Sequence, residues 1–177
     1  MARKSSESQS LDGRNTCHKI VERLVLPPGL RFSREHAWGL ATGDKGDLLM
    51  VGVTEVISRY FLQISNIEFV QSFAEIGTGD VAVTIRGTSQ FDQCDLSYSV
   101  RSPFSGMILC INPTLRRGWF RRAKPHLVLT DPYQEGWLYG VAGERAQIGE
   151  LMSAGEYRLW LHELAERDPT FLYHHVE

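Results

Sequence analysis

The sequence predicts a mainly β domain that ends in one helix. From Arg31 onward the apolar residues come in short runs separated by Gly, Asp, Asn and Pro, and only beyond Ser153 do they settle into a helical period. Short apolar runs bounded by turn residues read as strands. A succession of them without intervening helical patterns indicates a sandwich or barrel and not a parallel βαβ sheet. With 42% hydrophobic and 23% charged residues, the 177-residue chain can build one core, with a small appendage at most.

Taken in order, residues 1–30 are expected to be a largely disordered N-terminal tail, polar and serine-rich as far as about residue 16. Within it Ile20, Val21, Leu24 and Val25 have helical spacing before Pro27-Pro28 stops the run. A short helix and an edge strand both remain open there. LLMVGV (48–53) reads as a buried strand behind the turn TGDKGD. TEVISRYFLQI reads as a short helix with Val56, Ile57, Tyr60 and Phe61 on one face. IEFVQSF (67–73), DVAVTI (80–85), YSVRS (98–102), GMILCI (106–111), HLVLT (126–130) and GWLYGV (136–141) read as further strands. Ser153 and Glu156 then form a capping-box pair. Tyr157, Trp160, Leu161 and Leu164 follow as one apolar stripe, expected to pack on the β domain and to end near Asp168-Pro169. Residues 169–177 are expected to be a C-terminal tail.

The totals exclude more than they reveal. A net charge of -2 gives no general attraction to nucleic acid or anionic lipid. Cys17, Cys94 and Cys110 form no CxxC pair and are expected to be free thiols in a reducing compartment. No apolar run approaches the roughly 20 residues that span a bilayer. The basic N-terminus has no apolar stretch behind it and carries Glu7 and Asp12, so a cytoplasmic location is expected. His18, His36, His126, His162, His174 and His175 show no metal-binding spacing, and His36 reads as a structural histidine. GxSxG, HExxH, P-loop and GxGxxG signatures are missing, so no enzymatic activity and no metal are expected.

Four stretches in register resemble the glycine cleavage H-protein (lipoyl-carrier) family. RFSREHAWGLATGDKGDLLMVGVTEVI is similar to the family's opening hairpin Y/F-[ST]-x-x-H-E-W, with His36 and Trp38 in place and Ala37 where glutamate is usual. VRSPFSGMILCIN, TDPYQEGWLYGV and GELMSAGEYRLWL resemble its later motifs. Together they cover about residues 31–164, and the domain is taken as 31–168. The resemblance implies a barrel-sandwich hybrid of the lipoyl-domain type, with short helices and the C-terminal helix alongside.

It also implies a carrier role, which rests in the family on a lysine at a hairpin tip that is amide-linked to lipoate. Counting forward from Gly87 puts that position at Gln93, and counting back from Ser102 puts it at Asp95, with Cys94 between them. The chain's lysines are Lys4, Lys19, Lys45 and Lys124, and none lies in residues 87–106. The expectation is therefore an H-protein-like adaptor without lipoate or another cofactor. Its implied partners are proteins: glycine decarboxylase, aminomethyltransferase or lipoate-attaching enzymes. Two alternatives stay open. One is an acyl or thiol carrier that uses Cys94. The other is a nucleic-acid or nucleotide site in a basic, aromatic insertion formed by Arg116, Arg117, Trp119, Phe120, Arg121, Arg122 and Lys124.

Overall fold

The computed structural model describes residues 15–43, 47–116 and 122–172. Two antiparallel sheets enclose one core. The six-stranded sheet has the order β1 (Arg31–Phe32), β2 (Ala37–Thr42), β3 (Leu48–Val53), β9 (Tyr139–Ala142), β8 (Gly106–Ile111) and β5 (Glu75–Ile76). The three-stranded sheet is β4 (Phe61–Phe69), β6 (Val81–Ser89) and β7 (Asp95–Arg101). The helices are α1 (residues 15–23), α2 (Glu55–Ser58), α3 (Leu127–Thr130) and α4 (Ala154–Arg167), with a 3-10 turn over Arg145–Glu150. This is the lipoyl-type arrangement of two small sheets with a helix alongside. The sheets form a sandwich and do not close into a barrel.

Directly opposed residues share a face of a sheet. Leu49, Val141 and Ile108 stand opposite one another across β3, β9 and β8, and all three are buried. The motif residues hold this frame together. The Trp38 indole packs on Gly52, where an added Cβ would lie 2.4 Å from the ring. Its N–H donates to the Pro132 carbonyl at 3.0 Å. The Tyr133 hydroxyl accepts the Glu55 N–H, and the buried Asn112 amide donates to the carbonyls of Glu135 and Trp137. Gly106, at φ 150°, brings its Cα so close to the Ala142 carbonyl that a Cβ would sit 2.0 Å from the oxygen. DPYQEGW and SPFSG are thus joints of the scaffold.

β4 begins where the helix TEVISRYFLQI was expected to continue. Only Glu55–Ser58 is helical. Phe61, Ile64 and Ile67 are spaced by three, which suits a helix, yet all three are buried strand residues. Bulges between Phe61 and Gln63 and between Ile64 and Asn66 each insert a residue, so every third side chain returns to the core. HLVLT is a second correction. Pro125 and Pro132 bound it, and it makes one helical turn, α3, with His126 and Leu127 carbonyls accepting from Leu129, Thr130 and Asp131. Of GWLYGV, only the last three residues enter a strand.

The tails are shorter than expected. Residues 15–23 form α1, and Cys17, Val21, Leu24 and Leu30 are buried. At the other end Phe171 and Leu172 enter the core, where the Phe171 carbonyl accepts from the Tyr60 hydroxyl and the Pro169 carbonyl from the Cys17 thiol. Neither segment holds enough apolar residues to fold by itself. Each becomes ordered by packing on the other and on α4.

In α4, Tyr157, Leu161 and Ala165 are buried while Trp160 and Leu164 are half-buried against the core. The Ser153 hydroxyl accepts from the Glu156 N–H, and the Glu156 carboxylate accepts from the Ser153 N–H, closing the capping box. The same contacts hold the Glu156 carboxyl below its usual range, the Ser153 side chain first. Ser153→Ala is expected to lower stability by about 1 kcal/mol. A fall in the guanidinium midpoint with an unchanged m-value is the check.

Candidate functional site

The β6–β7 hairpin carries the residues singled out by sequence. Its strands pair from Val81 with Arg101 up to Thr88 with Asp95, and the Ser89 N–H donates to the Cys94 carbonyl at 2.8 Å. Residues 90–94 form the tip. The buried Ser89 hydroxyl accepts from the Phe91 and Asp92 N–H groups at 3.2 and 3.5 Å, and Asp92 Oδ1 accepts from the Cys94 N–H at 3.2 Å. Gln93 takes the left-handed conformation, φ 57°, that turns the chain back. The Gln90 N–H donates to the Tyr60 carbonyl and ties the tip to the start of β4. Side-chain-to-backbone bonds thus shape the tip, and Gln93, Cys94 and Asp95 are all exposed. Gln93 stands at the bend and Asp95 opens β7.

Two hollows adjoin this hairpin. A cleft of about 390 Å³ lies between the β1–β2 turn, with Arg34, Glu35 and His36, and β7, with Ser97, Ser99 and Arg101. The Tyr98 hydroxyl donates to the Glu35 carbonyl and joins the two walls. Burial pushes the Tyr98 phenol upward, with Tyr60 and Glu35 adding to the effect and Arg101 opposing it. A second cavity, of about 200 Å³, is lined by Ile20, Ser58, Arg59, Gln90, Phe91 and Leu172. The sequence assigns none of these residues to a site, and names His36 as structural and Tyr60 and Ile20 only as parts of apolar faces, because the walls come from segments that only the sandwich brings together.

His36 is structural in its contacts. It is 7% exposed, with Nδ1 2.6 Å from the Tyr157 hydroxyl, which also lies 3.3 Å from Thr54 Oγ1. Burial lowers its pKa from 6.5 to about 4. Burial also raises the Tyr157 phenol well above its usual range, against the opposing Thr54 hydrogen bond.

The basic insertion is only partly visible. Arg117, Trp119, Phe120 and Arg121 lie outside the described residues. Arg116, Arg122 and Lys124 are exposed, and the Lys124 N–H donates to the Thr114 carbonyl at 2.9 Å. Arg122 and Lys124 share a cavity of about 580 Å³ with Thr114, Glu135 and Trp137. Cys17 is buried and Cys110 half-buried, and all three cysteines are free thiols. Among the described residues, no helix is long and apolar enough to cross a membrane.

Two small sheets around one core, a shaped exposed hairpin and a C-terminal helix define a domain of the lipoyl type. The glycine cleavage H-protein family model matches residues 30–164, and the chain belongs to that family. The H protein of Mycobacterium sp. (strain KMS) is 31% identical over 140 residues, which cover 75% of this chain and 94% of that protein. The H protein of Carboxydothermus hydrogenoformans is 29% identical over 146 residues, covering 80% and 98%. The crystal structure of an H protein from Mycobacterium marinum shares the fold, with a TM-score of 0.61 at 22% identity over 76% of this chain and 98% of that one.

The buried imidazole gives a signed expectation. Above pH 6.5 His36 is neutral folded or unfolded. As pH falls from 6.5 towards 4, the unfolded chain takes up a proton that the folded chain refuses, so stability drops. Below pH 4 both states bind it and the loss levels off, on the order of 3 kcal/mol. Unfolding free energies of wild type and His36→Gln across this window are expected to differ in slope by one proton.

Proposed function

We propose that this chain is an H-protein-like adaptor that works without a lipoyl group, presenting the β6–β7 tip and its neighbouring cleft to protein partners. One observation carries the reading: the exposed tip offers Gln90, Phe91, Asp92, Gln93 and Cys94, with Asp95 at its base, and no amine. Lipoate attachment needs a primary amine on a long stem at an exposed turn. Gln93 and Asp95, where counting from Gly87 or from Ser102 puts the family's carrier lysine, provide an amide and a carboxylate. Lys19 sits on α1 and Lys124 in the insertion after β8, and neither is part of the hairpin.

The relatives named above are H proteins of the glycine cleavage system, so the enzymes of that system and those that attach lipoate are the first partners to try. As an adaptor the chain has no catalytic centre of its own and no cofactor, and it works in the cytoplasm. The nucleic-acid reading has less support, since Glu135 lines the cavity beside Arg122 and Lys124.

The test is the intact mass of the protein purified from its native host, followed by peptide mapping and by incubation with lipoate, ATP and a lipoate-attaching enzyme. An unmodified chain is expected in both experiments. Gln93→Lys, Cys94→Lys or Asp95→Lys is expected to create an acceptor at the tip. A lipoyl group on Lys19 or Lys124 would overturn the adaptor reading, and an acyl or disulfide adduct on Cys94 would replace it with the thiol-carrier alternative.

A further inference from the structure

Away from the hairpin, α1 and α4 meet through a chain of polar contacts. His18 and Glu22 are four residues apart on α1, and Arg158, His162 and Glu166 are spaced by four on α4, so each set lies on one helix face. His18 Nε2 lies 2.7 Å from the Glu166 carboxylate, and His162 Nε2 lies 2.9 Å from the Glu22 carboxylate. The two Nδ1 atoms are 2.6 Å apart, with the ring centroids 4.9 Å apart and the ring planes 22° from parallel, so the rings meet edge to edge. The Arg158 guanidinium donates to the carbonyls of Val21 and Leu24 near the end of α1.

A carboxylate only accepts, so each Nε2 must keep its hydrogen. Between the two Nδ1 atoms one hydrogen fits. With none, two lone pairs face each other; with two, two N–H groups collide. The pair is satisfied with three protons on its four nitrogens, one ring neutral and the other an imidazolium. A metal ion in place of that proton fits less well. Two nitrogens bound tetrahedrally to one ion stand roughly 3.3 Å apart. Among the described residues, no group of three or more His, Cys, Asp or Glu could hold a metal.

We propose that this shared proton makes α1 a pH-gated clasp, shut while the histidine pair holds three protons and released when it gains the fourth or loses the third. Among the described residues, the charged groups that face the pair are Glu22 from α1 with Arg158 and Glu166 from α4. Glu163 and Arg167 pair with each other on α4. Release uncovers Cys17, Val21 and Leu24. It also moves Ile20, which lines the small cavity beside Phe91, so the signal reaches the flank of the hairpin tip. The clasp stands independently of the adaptor reading for that tip.

The buried Cys17 thiol reports the state of the clasp. The full-length protein is labelled with 4,4′-dithiodipyridine, which reacts with thiols on both sides of neutrality, from about pH 5 to about pH 9, bracketing the imidazole range. Peptide mapping gives the Cys17 rate relative to the exposed Cys94 at each pH, and near-ultraviolet circular dichroism follows the packed core. The relative rate is expected to pass through a minimum and to rise about tenfold on either side, the population change that loss of one charge-assisted hydrogen bond brings. The core signal is expected to stay constant, and EDTA to change nothing. His18→Asn and His162→Asn are expected to give a raised, flat profile.

A flat wild-type profile, or the wild-type profile persisting in His162→Asn, would overturn the clasp. So would labelling that rises only as the core signal disappears, or a minimum abolished by EDTA. Should the variants fail to fold, nitrogen-15 spectra of the wild-type histidines at the minimum decide the matter. Hydrogen on both Nε2 atoms supports the clasp, and a bare Nε2 on either ring overturns it.

Discussion

The docking of Tyr157 is the contact that seats α4, and with it the face on which α1 packs. Its ring stacks on Phe32 at 5.0 Å, and its hydroxyl reaches His36 and Thr54, so one side chain of α4 grips β1, the β1–β2 turn and the segment after β3. A fully buried phenol is tolerated because its oxygen is partnered; the same ring without partners would carry an uncompensated desolvation cost. With α4 fixed in this way, Arg158 and His162 face α1, and the buried Leu161 and Ala165 line up on the same side as Tyr157. The N-terminal helix has few apolar residues of its own. It packs on the face that α4 presents.

Much of this was legible in the amino-acid text, and the misses have definite physical causes. Strands with unbroken apolar runs, such as Leu48–Val53 and Gly106–Ile111, were readable, because in a sheet interior the side chains alone decide the outcome. The capping box of α4 was readable because Ser153 and Glu156 are close in sequence and interact through backbone groups. β4 was misread at its start because two bulges give Phe61, Ile64 and Ile67 a helical spacing in an extended chain. α3 was misread because Leu127–Thr130 favours strand by composition, while the prolines at 125 and 132 leave room for only one turn. α1 was left open because its stripe is too short to declare itself without α4.

The candidate site divides along the same line. That residues 87–106 hold no lysine is read directly from the sequence, and so are Gln93, Cys94 and Asp95. The cleft could not be read, since Glu35 and Tyr98 are joined by a hydrogen bond across 63 positions. The histidine pair spans 144. The i, i+4 repeats His18/Glu22 and Arg158/His162/Glu166 are a faint sequence signal of two polar helix faces that meet. The tip itself is shaped in advance by Ser89, Asp92 and the left-handed Gln93. A partner that recognises it therefore loses little conformational entropy on binding.

The bulges in β4 have a consequence beyond the core. β4 is an outer strand of its three-stranded sheet and nine residues long, with Leu62 half-exposed on its surface. An uninterrupted outer strand of that length presents a regular row of unpaired amides and carbonyls, a template on which another chain can add itself. Two extra residues break the row and increase the local twist, so an incoming strand finds no continuous register to match. The irregularity that lets Phe61, Ile64 and Ile67 share one core thus also guards the molecule against self-assembly along its open edge.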